Sequence, residues 1–302
     1  MKITIGMACY NDFNGVYFTI QAIRMYNKDL LKDIEFIIID NNPDDAEGQH
    51  VQQFANWIRV GGKSHYKYIA NKEWNSTACR QIIFEQASAP IVLCIDCHIL
   101  IAPGAIEELL QYYDDNPDCK DLLHGPILND NLTLLASHME PIWDYNMYGK
   151  WSKGKQDLIE KGEPFEIPMT GLGLFTCKKD AWPGFNRLFK GFGGEEGYIH
   201  EKFRNAGAKV LCLPFLQWTH RFQRPQGVPY RCEYIDRIRN YIIGFLELKK
   251  DTKEIFDYFS KANELDGQDR KAIPIETLQL MEKRCKLEMQ MHEIDEEIKT
   301  NA

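Results

Sequence analysis

The sequence lacks a long apolar run. Its most apolar segment, residues 91–102, is interrupted by Asp96 and His98, so it is too short and too polar to span a bilayer. The residues after Met1 enter a strand-like pattern at once, without a basic stretch leading into an apolar one, so we expect no signal peptide. From these two features we expect a soluble intracellular protein.

Positive charge is also scarce. The 302 residues include 36 Lys and Arg against 44 Asp and Glu, which gives a formal net charge of −8. A protein that binds nucleic acid without sequence preference is usually basic overall, so any nucleic-acid role here requires a local basic patch. Hydrophobic residues make up 44% of the chain, which suffices for the core of one large domain or of two fused halves.

The number of cysteines is odd. There are nine of them, and most stand inside apolar runs, where a free thiol behaves as a small hydrophobic group. Reduced cysteines are typical of the cytosol. We therefore expect a cytoplasmic protein.

Short apolar runs alternate with helix-like stretches over the first part of the chain. The continuous run Phe36–Ile39 is typical of a parallel strand that is covered on both faces. Strands are predicted at residues 3–9, 35–40, 66–69 and 91–95, and helices at 16–26, 51–60, 75–87 and 103–113. This alternation predicts a doubly wound α/β half, in which ligands bind at the carboxyl ends of the strands. Asp12, Asp40 and Asp96 all fall at such ends.

The alternation stops near residue 126. Residues 139–168 mix aromatic residues with lysines and show no clear period, which predicts a long irregular stretch of the kind that often forms a lid. Residues 233–302 are predicted to be helical. Within them, a heptad-like apolar stripe either packs on its own domain, which we favour, or pairs with a partner helix. The stripe consists of Leu280, Leu287, Met291, Ile294 and Ile298.

Asp96 and His98 form the sharpest local pattern. Residues i and i+2 of an extended chain face the same way, so this carboxylate and this imidazole can bind one metal ion. The same pattern also suits a strand end with a solvated Asp and a hydrogen-bonded His. His220 follows a second apolar run and is the third candidate ligand. Mixed nitrogen and oxygen ligands suit Mn²⁺ better than Mg²⁺.

Glu195 and Glu196 follow a glycine-rich loop, residues 191–194, and open a predicted helix. A carboxylate placed there can act as a general base towards a hydroxyl group or can orient that group. The structural alternative is that acidic residues favour helix N-termini. The pair is therefore a candidate catalytic element.

The order of these motifs resembles that of family-2-type glycosyltransferases with the GT-A fold, over about residues 3–222. The commonest members carry Asp-x-Asp as the metal motif. The Asp-x-His motif with a distant Thr-His is similar to the polypeptide N-acetylgalactosaminyltransferases, which also carry a Gly-Gly-Glu-Asn element. The segments that carry the resemblance are Tyr10–Asp12, Ile38–Asn41, Ala78–Gln81, Asp96–His98, Gly171–Cys177 and Gly193–Glu196.

The resemblance implies an α/β GT-A fold, with a Rossmann-like half built on a mixed, mostly parallel sheet and a C-terminal helical extension. We assign residues 1–125 to nucleotide-sugar binding, 126–232 to acceptor binding and catalysis, and 233–302 to the extension. The implied reaction is a hexosyl or pentosyl transfer from a nucleotide diphosphate sugar, UDP-sugar first, with Mn²⁺ or Mg²⁺ bound.

The resemblance also implies roles for individual residues. Asp96, His98 and His220 would hold the metal, and Glu195 and Glu196 would face the sugar and the acceptor. Asp40 would accept a hydrogen bond from uracil, and Arg80 would lie near the nucleotide. The remaining donor-binding residues would be Tyr10, Asn11, Asp12 and Gly171.

Some alternatives stay open. Glu196 stands where inverting members carry an aspartate base and retaining relatives carry Asn, so the stereochemistry is not fixed, and Cys-Arg-Gln replaces the usual Ala-Arg-Asn around Arg80. The acceptor is a glycan, a protein, a small metabolite or a modified nucleic-acid base. A sugar nucleotidyltransferase would carry a glycine-rich basic loop after the first strand, which this sequence does not have. The other alternative is a non-catalytic nucleotide-sugar or carbohydrate-binding module. The C-terminal helices are a candidate surface for a homo-oligomer.

Overall fold

A computed structural model describes residues 1–61, 65–224, 227–261, 263–265, 268–270 and 272–301. The strands are, in chain order, β1 (Ile3–Cys9), β2 (Ile34–Asp40), β3 (His65–Ala70), β4 (Ile91–Asp96), β5 (Ile99–Ile101), β6 (Leu122–His124), β7 (Ile127–Leu128), β8 (Leu134–Ala136), β9 (His138–Asp144), β10 (Met147–Ser152), β11 (Phe165–Glu166), β12 (Leu174–Lys178), β13 (Val210–Cys212), β14 (Trp218–His220), β15 (Asn263–Leu265) and β16 (Gln268–Arg270).

Helices of two kinds connect these strands. Short 3-10 helices cover Lys28–Asp33, Thr77–Arg80 and Lys179–Ala181. The α-helices are α1 (Phe13–Tyr26), α2 (Ala46–Gly61), α3 (Gln81–Gln86), α4 (Ala105–Asp115), α5 (Gln156–Lys161), α6 (Glu196–Asn205), α7 (Tyr234–Glu247), α8 (Lys253–Phe259) and α9 (Ile275–Asn301).

In the described part of the chain, eight strands form the central sheet, in the order β11-β13-β6-β12-β4-β1-β2-β3. β1 runs parallel to β2 and β4, and β12 joins antiparallel to β4. The register places Cys9 beside Asp40 and Ala8 beside Asp96. The carboxyl ends of β1, β2 and β4 therefore meet at one edge, where ligands bind in sheets of this kind.

Both faces of this sheet are covered. Phe36 and Ile38 of β2 pack in the apolar cluster shared with α1, α2 and α4. Ile37 and Ile39 pack in the opposite cluster, shared with α3, α6 and α7. Every residue of β2 is buried, which explains its unbroken apolar run. The predicted α/β class, with a mostly parallel central sheet, is confirmed.

The sheet also separates two neighbouring cysteine thiols. Cys94 and Cys97 have the Cys-x-x-Cys spacing of many metal and redox sites. β4 directs them to opposite faces of the sheet, because Cys94 packs in one apolar cluster and Cys97 in the other. All nine cysteines are unpaired, so this spacing does not form a disulfide.

Residues 139–168 differ from the prediction of an irregular stretch. β9 and β10 form an antiparallel hairpin, and α5 and β11 follow. Tyr145 and Asn146 make the turn with φ of 44° and 63°. Trp143 contacts the rings of Tyr148, Tyr241 and Tyr258. The positions of the aromatic residues are set by packing against α7 and α8 and do not alternate with a two-residue period. The sequence pattern therefore did not indicate strands here.

Residues 75–87 do not form one helix either. Ser76 accepts a hydrogen bond from the backbone N–H of Ala78 and caps a 3-10 turn, and α3 starts only at Gln81. The boundary predicted at residue 125 cuts through the central sheet, because β4 pairs with β12. The proposed functions of the three segments stay predictions.

In the described residues of the C-terminal segment, the helices α7, α8 and α9 are accompanied by the β15–β16 hairpin. α9 packs against α7 through Leu278 and Cys285, which are buried, and Arg239 of α7 pairs with Glu288. The expectation that the heptad-like stripe docks on the domain is wrong, since a different face of α9 makes that contact. The stripe residues are 52–67% exposed: Leu280, Leu287, Met291, Ile294 and Ile298. Among the described residues, no helix is long and apolar enough to cross a membrane.

Candidate active site

Asp96, His98 and His220 come together where two strands end. Asp96 is the last residue of β4, and His98 follows it. β14 pairs antiparallel with β5 and sets His220 opposite Ile99, beside His98. One ligand atom from each of the three residues lies within 4.8 Å of the others. The imidazole Nε2 atoms are 3.1 Å apart, and His220 Nε2 is 3.5 Å from Asp96 Oδ2. The structure thus assembles the predicted metal group.

The orientation of His98 is set by neighbours on both sides. Its Nδ1 lies 3.1 Å from Asp12 Oδ2. Its Nε2 lies 2.6 Å from Nη2 of Arg224. A carboxylate only accepts and a guanidinium only donates, so the proton of the neutral ring belongs on Nδ1 and the lone pair on Nε2. Arg224 donates to that lone pair, and His220 Nε2 lies 3.1 Å from the same nitrogen.

The chemistry of this group suits a divalent cation. One carboxylate and two imidazoles are borderline-hard donors of the kind that Mn²⁺ accepts. Asp12, Cys97 and His98 form a second trio of potential ligands. Burial, together with Asp12 and Asp96, raises the pKa of the Cys97 thiol well above its usual value, and thiolate ligands suit softer ions than Mn²⁺ or Mg²⁺. The trio with His220 is the better metal group.

Arg80 is a buried cation beneath this group. Its guanidinium lies 2.6 Å from Asp96 Oδ1 and 3.6 Å from Glu195 Oε1. Burial alone would raise the pKa of Asp96, but Arg80 and His220 outweigh burial and hold it below the ordinary range. Arg80 therefore pairs with two carboxylates in this structure, and the predicted contact of Arg80 with the nucleotide stays a prediction.

Glu195 and Glu196 reach the site through a glycine-rich turn. Gly193 and Gly194 have φ of +91° and +98°, which side chains rarely adopt, and a Cβ on Gly194 would lie 2.8 Å from that of Asn240. Both carboxyl groups are buried, and within the described residues the Oε2 atom of each has no hydrogen-bond partner. Burial and the nearby Glu195 raise the pKa of Glu196 to about 8. Such a carboxyl group is a stronger base than an ordinary one.

Two cavities meet at the metal group. The smaller, of about 90 Å³, is lined by the loop after β1 and by residues 75–77. The larger, of about 560 Å³, is mainly apolar and reaches the β9–β10 hairpin. Residues shared by both are Arg80, Asp96, His98, Phe192, Arg224 and Tyr230. A molecule with one end in each cavity would pass directly over the metal group.

The floor of the larger cavity is the segment Gly171–Gly173. A Cβ on Gly171 would lie 2.8 Å from the ring of Trp151, and one on Gly173 would lie 2.7 Å from the ring of Trp218. Glycine at these positions lets both indoles approach the floor. Gly171, predicted to bind the donor, thus lies in the larger cavity, and that role stays a prediction.

The predicted donor residues of the first loop separate. Tyr10 lines the smaller cavity, with its ring edge-on to Tyr230. Asn11 adopts φ of 48° and bonds with Asn42 and Asp45, and it does not line that cavity in the described structure. Asp12 lines the cavity, but its carboxylate faces His98.

Asp40 lies beneath the first loop. Its side chain is fully buried, and it accepts hydrogen bonds from the Tyr68 hydroxyl at 2.8 Å and from the Asn42 backbone at 3.0 Å. Burial raises its pKa. Among the described residues, it lines neither cavity at the metal group. β2 directs Asp40 under the loop, and its predicted contact with uracil stays a prediction.

Sequence reasoning left Tyr230 and Phe192 without a site role, and it marked Arg224 only as one of five arginines in a basic stretch that suits phosphate recognition or forms a solvated helix face. The signal for Arg224 was the arginine-rich segment 221–239, which divides in the structure. Arg221 and Arg224 approach the metal group, whereas Arg239 pairs with Glu288 on α9. Local composition marked the segment but not which of its members face the cavity.

Comparison with known proteins gives a consistent result. Residues 4–180 match the family model described as Glycosyl transferase family 2. No curated protein matches the chain in sequence. A structure of GalNAc-T7 with UDP, GalNAc and Mn²⁺ superposes with a TM-score of 0.64 and 17% identity, covering 99% of this chain and 58% of that one.

Two further solved structures share the fold. The mannosyltransferase PcManGT from Pyrobaculum calidifontis, with GDP-Man and Mn²⁺, has a TM-score of 0.56 and 14% identity, with 83% of this chain and 64% of that one covered. S. aureus TarS 1-349 has a TM-score of 0.51 and 13% identity, with 86% and 70% covered. The chain thus spans less than two thirds of the first two proteins. These likenesses confirm the GT-A fold.

Proposed function

The chain belongs to glycosyl transferase family 2, and from that premise we propose that it transfers a sugar from a nucleotide diphosphate to an acceptor hydroxyl with the help of a divalent metal ion. The observation that carries this proposal is the position of Asp96, His98 and His220 at the junction of a narrow and a broad cavity. A donor fits this shape with its nucleoside in the narrow cavity, its diphosphate at the junction and its sugar in the broad cavity.

The metal proposal rests on the donor atoms of Asp96, His98 and His220. We propose Mn²⁺, with Mg²⁺ as the alternative, since two of the three ligands are nitrogen. A bound divalent ion would stabilise the charge of the departing diphosphate as a Lewis acid. Arg224, whose guanidinium already lies at His98, supplies a second positive charge that a phosphate oxygen can use.

The donor is proposed to be a UDP-sugar. Tyr10 lines the narrow cavity and offers a ring face on which the base can stack. The solved structures with this fold contain UDP, UDP-GlcNAc or GDP-Man, so the fold does not fix the base. The buried Asp40 gives no support for uracil.

The proposed base is Glu196. Glu195 is engaged by Arg80, whereas an oxygen of Glu196 has no partner among the described residues and the group borders the broad cavity. An ionised Glu196 would take the proton of the acceptor hydroxyl in an inverting reaction. In a retaining reaction the departing phosphate would take that proton, and Glu195 would matter more.

The broad cavity is the proposed acceptor site. Its walls include the apolar side chains of Met139, Met147, Trp151, Trp218 and Phe222, and Asp144 and Lys150 add polar groups at the hairpin. Flat apolar walls bind ring faces. We therefore place a sugar ring or a modified nucleic-acid base ahead of an extended peptide.

The direct test is a screen of nucleotide sugars against acceptors, read by mass spectrometry. UDP-sugars with Mn²⁺ should give a mass increase of one sugar on at least one acceptor with a ring-borne hydroxyl. The Asp96→Asn variant is the control and should give none. Equal product from the wild type and from Asp96→Asn would contradict the proposed metal site, and consumption of GDP- or ADP-sugars alone would contradict the donor.

We also propose that two copies pair through α9. The stripe of Leu287, Met291, Ile294 and Ile298 is exposed along the second half of α9. Charges divide along this exposed part: Lys283, Arg284 and Lys286 precede Glu293, Asp295, Glu296 and Glu297. An antiparallel partner helix of the same sequence would bring the basic half of one copy against the acidic half of the other.

A cytosolic location stays a proposal, and it rests on the cysteines. All nine are unpaired, as is usual in reducing compartments. Cys232 is exposed, and in an oxidising compartment it would be open to intermolecular disulfides. Reaction of the protein purified from its source with a thiol reagent tests this, since nine free thiols are expected after unfolding.

A further inference from the structure

Asp12 is the most heavily engaged carboxylate at the site. Oδ1 accepts from the Gly15 backbone N–H at 3.0 Å and caps α1. Arg221 Nη2 donates to Oδ1 at 2.7 Å and to Oδ2 at 2.8 Å. Oδ2 also lies 3.1 Å from His98 Nδ1 and 3.8 Å from the Cys97 thiol. One side chain therefore joins β1, α1, the turn after β4 and the segment after β14.

These contacts leave Asp12 little capacity to bind the donor. Both oxygens are occupied, and Asp12 is only 11% exposed at its side chain. The carboxylate would also repel a diphosphate. The contact with His98 has a different consequence, because it decides which ring nitrogen carries the proton. A hydrogen-bonded carboxylate on one imidazole nitrogen fixes the ring and raises the basicity of the other nitrogen.

We infer that Asp12 is a positioning residue for the metal: it holds the His98 proton on Nδ1 and thereby presents the Nε2 lone pair to the ion. This inference rests on the proposed function, since it assumes that His98 is a ligand. The contacts made by Arg221 neutralise the charge of Asp12, while the Gly15 N–H holds its carboxylate in place. Sequence position alone would assign Asp12 to the donor, as its neighbours in the first loop suggest.

The test separates the cap from the contact with His98. Serine is a good N-cap residue but is too short to reach the imidazole, so Asp12→Ser should preserve α1 and lose the contact. Asp12→Asn can still accept from Nδ1 and is the conservative variant. Arg221→Gln is the matched control, because it removes the other charged partner of Asp12. The probe is Mn²⁺ alone, titrated by calorimetry or by electron paramagnetic resonance of the free ion.

The second readout is the tautomer of His98, measured by long-range ¹H–¹⁵N NMR on protein labelled at histidine and assigned with His98→Gln. The wild type should show the proton on Nδ1. Asp12→Ser should bind Mn²⁺ about 10–100-fold more weakly and lose this tautomer, with a melting temperature near that of the wild type. Asp12→Asn should recover the tautomer and part of the affinity, and Arg221→Gln should keep the tautomer.

Two results separate the possible failures. If Asp12→Ser binds Mn²⁺ as the wild type does and its His98 proton stays on Nδ1, the positioning role is refuted. If Asp12→Ser fails to fold, Asp12→Asn decides the question through the same two readouts. If the wild type and His98→Gln bind Mn²⁺ equally, the proposed metal site is wrong. The tautomer measurement then still shows whether Asp12 orients the ring.

Discussion

Glu196→Gln should have opposite effects on stability and activity. The fold raises the pKa of Glu196 from 4.5 to about 8, so the folded protein resists ionisation of this group. Its contribution to stability is intact below about pH 4.5 and is lost as the pH rises through 8. At about 1.4 kcal/mol per pH unit, the free energy of unfolding falls by at most about 5 kcal/mol over this range. Coupling with Glu195 reduces this loss to a few kcal/mol.

Glutamine carries no charge, so the substitution removes this penalty. Wild type and variant should have nearly equal stability at pH 5, and the variant should be more stable at pH 8.5. At about 2–4 °C per kcal/mol, the melting temperature should rise by several degrees. The matched control is Glu195→Gln, which takes a partner from the buried Arg80 and should lower the melting temperature instead.

Activity should change in the other direction. With a pKa of about 8, about a tenth of Glu196 is ionised at pH 7, so kcat should rise about tenfold per pH unit below 8 and then level off. Loss of a general base lowers kcat by about 10²–10⁴, and the pH dependence should vanish with it. Steady-state rates from pH 6 to 9, with the product anomer assigned by NMR, provide the measurement.

Each half of this prediction has its own refutation. An inverted product from a fully active Glu196→Gln enzyme would show that Glu196 is not the base. A retained product with little loss of rate would assign the reaction to the retaining class. A melting temperature at pH 8.5 that does not rise would mean that the Glu196 carboxyl group is not buried as described.

Further predictions concern other parts of the molecule. Arg80→Met should cost about 3–5 kcal/mol in urea unfolding, because it leaves two buried carboxylates without their cation; a loss under 1 kcal/mol would contradict the described burial. Burial lowers the pKa of His200 to about 3, so stability should fall as the pH drops below about 6.5. The free energy of unfolding should differ less between pH 5 and pH 7 in His200→Gln than in the wild type. Ile294→Glu should yield a monomer in sedimentation, while Glu293→Gln, off the stripe, should not; a wild type that is already monomeric would refute pairing through α9.

Much of the fold could be predicted because local patterns determine it. The apolar run Phe36–Ile39 in β2 and the alternation with helices indicated a covered parallel sheet, and the strands β1 to β4 lie within a residue or two of their predicted bounds. The β9–β10 hairpin could not be recognised, because the rings of Trp143 and Tyr148 pack together against helices that follow about a hundred residues later in the chain. Packing partners so distant leave no local period.

The site shows the same division. Asp96 and His98 lie two residues apart, so their proximity could be predicted, although they meet across a turn at residues 97–98 rather than on an extended chain. His220 followed from the resemblance. Asp12 and Asp40 stand at equivalent strand ends, yet one turns to the metal group and the other under the loop. That difference depends on contacts with His98 and Tyr68, and only the folded chain supplies them.

The metal-dependent binding of the donor is the central claim, and calorimetric titration with UDP tests it most directly. The wild type should bind UDP in Mn²⁺ and lose about tenfold or more of that affinity in EDTA. His220→Ala, at the same melting temperature, should bind UDP weakly in both conditions. Equal affinity of the wild type for UDP with Mn²⁺ and with EDTA, or an undiminished Mn²⁺ effect in His220→Ala, would contradict the account.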